Sequence, residues 1–428
     1  MSLPWHPILS GEAGARAMAA AIDIAAVTSR GVTHYSDELD PDAVPVWENV
    51  LSGGRAGQCL LHAYLALHGA GDAYADTAIE LLDRATAAAS ELRMSSSLYL
   101  GFPGIAWTAA HLAGRLFAED EDGNREVDEI LLRSLAQAPW AGPYDLFHGL
   151  VGLGIYALER LPRPSAMSCL EAVVAQLAAR AEHTPEGAAF FSPVGALHPK
   201  YREVFPRGAY VLGMAQGLPG VIAFLGSACR AGVAVQEARP LLDGTVSWLL
   251  ARERPADSSY RFPHYHCPGV EPHRSRVAWC FGDLGIAASL LIAARGACEP
   301  AWEVAARRVA LAAAARPLAS AGVPDAGLCH GAAGVGHVFN RLYQATGETE
   351  LGRAARFWFD HALGLREPGL GIAGFRKASG SDWLDEPGFL LGATGIGLAL
   401  LAAVSPIDPA WDRLLLTSSR AASDLGRP

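Results

Sequence analysis

Two cysteines and a histidine carry the most suggestive chemistry in this 428-residue sequence. They stand in Trp279-Cys280-Phe281-Gly282 and in Cys329-His330-Gly331. Each cysteine lies two residues before the first glycine of a Gly-x-x-Gly turn, GDLG (282–285) or GAAG (331–334). Two thiolates and one imidazole are a zinc donor set. Three protein ligands would leave a fourth position for water or substrate, as a catalytic rather than a structural site requires. A cysteine in an Ala-rich chain is otherwise a small core residue. The metal reading therefore depends on a fold that brings the two segments together.

The rest of the sequence describes such a fold. The Gly-x-x-Gly pattern recurs seven times: GRAG (54–57), GFPG (101–104), GLVG (149–152), GLPG (217–220), GDLG, GAAG and GATG (392–395). Each copy leads into an Ala- and Leu-rich apolar stretch such as VIAFLGSA or IAASLLIAA, without strand-like alternation. These stretches read as helices beginning after the glycines. Between copies, segments such as 76–92, 125–138 and 164–182 place apolar residues at helical spacing, as helices with one wet face do. Seven helix pairs predict an all-α chain closed into a ring, an α/α toroid forming a single domain over 1–428, with an open solenoid as the rival. The Gly-rich ends would gather at one rim, with free helix-start N–H groups pointing there. Equivalent repeat positions would converge, and with them Cys280, Cys329 and His330. Two long inserts, 183–210 and 254–276, read as loops with little regular structure, of the kind that often carries function.

Composition narrows the class. Hydrophobic residues make up 51% and charged residues 18%, enough apolar material for a large core. The formal charge of −10 leaves no basic stripe for nucleic acid. No run of about 18 apolar residues suggests a membrane span. The N-terminal MSLPWHPILSGEAGARAM lacks the basic-then-apolar order of a signal peptide, so a cytoplasmic protein is expected. Seven widely spread cysteines, an odd number, do not describe a disulfide framework.

WCFGDLG and CHGAAGVG resemble the paired motifs of the lanthionine synthetase C-like family. The seven glycine turns, Tyr144-Asp145-Leu146 before GLVG, and HPKYREVFPRGAYVLGMAQGLPG extend the resemblance over nearly the whole chain. It implies an α/α toroid with one Zn2+ held by Cys280, Cys329 and His330. The implied activity joins peptide cysteines to dehydroalanine or dehydrobutyrine as thioether rings. The implied partners are a dehydrated precursor peptide, a separate dehydratase for which the chain has no room, and an exporter. Peripheral attachment to a membrane-associated complex is a further expectation.

Other positions carry over singly. Asp145 matches a family acid concerned with proton handling or orientation; the bland alternative is a helix N-cap. Arg276 matches a cation that would stabilise the enolate oxygen or hold a carboxylate; the alternative is a salt bridge fixing the insert. Two positions depart from the family. Gln216 stands where a histidine is usual, and Phe281 where a tyrosine is frequent, so two proton donors are missing. His148, directly before the third turn, is a candidate replacement. His266, with His264 and Cys267, would line a substrate entrance or bind metal adventitiously. The departures leave open a relative that binds modified peptides as a scaffold, or one that adds a small thiol to dehydro residues.

Overall fold

A computed structural model describes residues 5–29, 40–118, 122–271 and 273–418. The first four residues of the N-terminal segment read above lie outside this set. The contacts divide the chain into two compact units. One takes in the described residues up to Arg125 together with Val323–Trp411. The other takes in Glu126–Gly322 and the segment from Asp412.

In the first unit the repeat helices are Arg55–His68, Phe102–Leu112, Ala332–Thr346 and Ala393–Val404. They pack on the more polar helices Asp72–Glu91, Thr349–Gly364 and Gly11–Thr28. In the second unit the repeat helices Leu150–Glu159, Leu218–Ala231 and Asp283–Ala297 pack on Pro164–Arg180, Val235–Leu250 and Pro300–Ala314. The division of labour follows from burial. Leu284 through Ala294 is buried without interruption, whereas Asp72–Glu91 buries Ala78, Leu81, Leu82 and Ala85 at helical spacing. Within the second unit the repeat helices approach through small residues. A side-chain carbon at Gly226 would stand 2.8 Å from the Cα of Ala293.

Every repeat helix starts directly after the first glycine of its copy, which serves as N-cap. The second glycine therefore sits in the first turn rather than before the helix. Its role is steric. A Cβ at Gly104, Gly285, Gly334 or Gly395 would fall on the carbonyl oxygen six residues earlier: Leu98, Trp279, Leu328 or Phe389. The chain thus folds back on the helix start and occupies its donors. Ala332 N–H donates to Asp325 O (2.8 Å), Ala393 N–H to Glu386 O (2.8 Å), and Arg55 N–H to Glu48 O (2.8 Å). In five of the seven copies, those starting at Arg55, Phe102, Leu150, Ala332 and Ala393, the first helix-start N–H expected to be free is satisfied by the carbonyl seven residues back.

The inserts also depart from expectation. Residues 183–210 and 254–276 contain β-structure. Glu182–Thr184 and Gly187–Ala189 form a hairpin, and Phe191–Pro193, Gly208–Val211 and Tyr265–His266 form an antiparallel sheet. Its register pairs Ser192 with Ala209 and Val211 with Tyr265. The strands are two to four residues long, too short for alternation to show in the sequence. No described helix is long and apolar enough to cross a membrane.

Replacing Gly285 with alanine should force the Trp279 carbonyl to move and lower stability by about 2–3 kcal/mol. Urea denaturation checks this; an unchanged midpoint would contradict the steric role.

Candidate metal centre and its surroundings

The loops that precede the repeat helices are tied to one another at a single repeat position. In the second unit Phe147 N–H donates to Ala215 O (3.0 Å), and Ala215 N–H to Cys280 O (3.4 Å). In the first, Cys329 N–H donates to Leu390 O (2.8 Å), Leu390 N–H to Ser52 O (3.3 Å), and Ser52 N–H to Tyr99 O (3.0 Å). Ser52, Tyr99, Phe147, Ala215, Cys280, Cys329 and Leu390 all stand two residues before the first glycine of their copy. The phase shared by the two cysteines is thus a hydrogen-bonded backbone position.

Cys280, Cys329 and His330 form a group that could hold a metal ion. Their ligand atoms all lie within 4.8 Å of one another. Both cysteines are buried and the histidine is partly exposed. In a tetrahedral zinc site with two thiolates the sulfurs stand about 3.8 Å apart, so the spacing suits the donor set. None of the seven cysteines is in a disulfide. Among the described residues, His264, His266 and Cys267 do not make a second such group.

Carboxylates that the cysteine motifs did not reveal fix these loops. Asp325 Oδ1 accepts from Gly327 N–H (2.9 Å) and its Oδ2 from Ala378 N–H (3.1 Å), setting the approach to Cys329. Glu386 Oε1 accepts from Gly388 N–H (3.0 Å). Asp283, buried three residues after Cys280, accepts from Arg261 N–H (3.0 Å) and Phe262 N–H (2.9 Å) and pairs with Arg316. Arg316 donates in turn to Ser275 O (2.9 Å). One buried ion pair therefore clamps both flanks of the 254–276 insert beside the Cys280 turn. Burial raises the Asp283 carboxyl above its ordinary range against the pull of Arg316. Superposing the repeats would have found Glu48, Asp325 and Glu386, which all stand six residues before the first glycine of their copies.

The remaining candidates lie in the second unit. Asp145 is buried, and its Oδ1 accepts from His148 N–H (2.7 Å). The helix cap is Gly149, so Asp145 braces the loop instead of capping the helix. His148 Nδ1 lies 3.5 Å from the same oxygen, and its side chain is 38% exposed. That pairs a solvent-reachable imidazole with an orienting carboxylate. Gln216 is half-buried directly before its helix cap. Phe281 packs on His264 and Tyr265, ring centres 5.3 and 5.7 Å away. His266 lies in the short sheet against Trp248 and Tyr210.

His264 is buried, and its Nε2 accepts from Arg276 N–H (3.3 Å). Burial first, and then Arg276, Lys200, His273 and Arg316, push its pKa down to about 3. The folded chain therefore resists a proton that the unfolded chain accepts near the ordinary histidine value. Stability from this group is complete above that value and declines as pH falls from there toward the folded pKa. The loss should reach about 2 kcal/mol by pH 5. Denaturation at pH 7 and pH 5 measures it, and His264→Gln, which can still accept the Arg276 bond, should shrink the difference by that amount.

Comparison with known proteins agrees with this arrangement. No curated protein sequence matches the chain significantly. The structure of nisin cyclase is similar at a TM-score of 0.74 and 18% identity, covering 95% of this chain and 98% of that one. The likeness shows the fold, the α/α toroid expected from the repeats. The family model for lanthionine synthetase C-like protein matches residues 45–416, which include all seven glycine turns. The chain belongs to the lanthionine synthetase C-like family.

Proposed function

We propose that the chain is a zinc-dependent cyclase of dehydrated peptides, adding cysteine thiols to dehydroalanine or dehydrobutyrine to make (methyl)lanthionine rings. The observation that carries this reading is the gathering of the Cys280, Cys329 and His330 donors within 4.8 Å. Family membership and the likeness to nisin cyclase support it. A zinc ion held there would supply Lewis acidity that lowers the pKa of an arriving peptide thiol.

In the reaction a carbon–sulfur bond forms at the β-carbon, the thiol proton departs, and the α-carbon gains a proton, with no net redox change. The protein must accept the first proton, steady the enolate oxygen and deliver the second. His148 is the titratable group for the transfers, its ring oriented by Asp145. Arg276 offers the cation for the enolate oxygen. Gln216 and Phe281 provide an amide and an apolar face for the peptide but cannot carry a proton at neutral pH. His266 is assigned to the entrance. The dehydrated peptide would come from a separate dehydratase, the product would leave through an exporter, and a reducing cytoplasm would keep the ligand thiols available.

Gln216 and Phe281 also favour a second reading, a binding protein for modified peptides that retains the metal without turnover. Metal analysis of the purified chain should find one zinc, and Cys329→Ala should lose it. The parent chain, incubated with a dehydrated cysteine-containing peptide, should make those thiols unavailable to alkylation. His148→Ala should slow this about a hundredfold while zinc content stays unchanged. Zinc with tight peptide binding but no loss of alkylatable thiols, and no gain in Gln216→His, would replace the cyclase reading with the binding one.

A further inference from the structure

Beside the Cys280 turn, wholly within the second unit, the 254–276 insert and the segment 319–322 enclose a cleft of about 490 Å³. Its lining includes Arg274, Arg276, His273, Tyr201, Ser320 and the buried Ser275. No carboxylate contributes to this lining. Lys200 stands at the same place, its ammonium 4.9 Å from the centre of the Tyr201 ring. Among the described residues no carboxylate forms an ion pair with Lys200, Arg274 or Arg276. This lies in a chain of net charge −10, in which Arg55, Arg160, Arg316, Arg341 and Arg413 are each paired with a carboxylate. Arg276, Lys200 and Arg316 all bear on neighbouring His264.

A second observation points inward. The Ser275 Oγ is buried and has no hydrogen-bond partner. A buried hydroxyl left unpaired is costly, and groups of this kind are normally satisfied. Ser275 is one of the residues lining the cleft, so an unpaired donor lies beside its cations. Guanidinium groups take carboxylates in paired hydrogen bonds. The volume falls in the range that accommodates a molecule of drug size rather than a lone ion, room for a few residues of peptide.

From this geometry we propose that the cleft is a docking subsite for an acidic peptide segment, whose carboxylates are received by Arg274, Lys200 and the Ser275 hydroxyl. That the segment belongs to the peptide to be cyclised rests on the cyclase reading; the preference of the cleft for carboxylates does not. Arg276, four residues before Cys280, is common to the cleft and to the proposed reaction site. An acidic segment held here would anchor the peptide while another part of it reacts.

The test uses the full chain and a fluorescein-labelled Gly-Glu-Leu-Glu-Gly amide, with the Gln-for-Glu peptide as control, read by anisotropy. The glutamate peptide should bind about tenfold more tightly than the control, and raising the salt from about 0.05 to 0.5 M should remove most of the difference. Arg274→Gln and Lys200→Gln, at exposed positions, should each lose most of that preference while unfolding like the parent chain. Ser275→Ala should weaken binding with no charge change. Equal binding of both peptides, or unaltered binding by Arg274→Gln, overturns the proposal. Displacement by 1 mM inorganic phosphate would reassign the cleft to a small anion and overturns it too. Zinc content and thiol alkylation report separately on the cyclase reading, so either can fail alone.

Discussion

The backbone hydrogen bond made two residues before each repeat glycine is the constraint on which the rest of the structure depends. It joins loop to loop within each unit, through Phe147, Ala215 and Cys280 in one and through Cys329, Leu390, Ser52 and Tyr99 in the other. For the loops to meet, each must double back tightly enough that its carbonyls lie over the next helix start. Glycine permits that approach, because in six of the copies a Cβ at the second glycine would overlap a carbonyl oxygen six residues earlier. The same folding-back satisfies the first helical N–H groups with protein carbonyls. In the copies at Arg55, Phe102, Leu150, Ala332 and Ala393 the first helical N–H is thereby already occupied.

Those side chains are concentrated in the insert that precedes Cys280. The insert is held by a deeply buried pair, Asp283 with Arg316, which also grips the backbone at Arg261, Phe262 and Ser275. Burying two charges is expensive, and such a pair contributes more to defining a conformation than to net stability. Its placement fits that role. It fixes where the insert leaves and rejoins the body of the unit, and so where Arg274 and Arg276 are carried.

Much of this was legible in the sequence. The Gly-x-x-Gly spacing located all seven repeat helices, and the phase of Cys280 and Cys329 picked out the two cysteines that gather with His330. That signal survives because it is covalent and local: a glycine that must be glycine, at a fixed distance from a loop position. What escaped was non-local. The strands at 191–193, 208–211 and 265–266 owe their existence to pairing across the chain and not to their own alternation. Asp283 read as one residue of a glycine turn, because nothing nearby announces Arg316 as its partner. Of the two readings of Asp145, a family acid or a helix cap, the cap is excluded: Asp145 braces the loop below His148, since Gly149 already occupies the cap.

Because the inter-loop bonds use only main-chain atoms, the bond itself does not dictate which side chain stands at that repeat position. The seven copies show it, carrying Ser, Tyr, Phe, Ala, Cys, Cys and Leu on the same hydrogen-bonded frame. Such a frame separates heritable chemistry from architecture. Functional groups can be exchanged or retired one copy at a time while the scaffold persists, so catalytic competence can drift within a lineage long before its shape does.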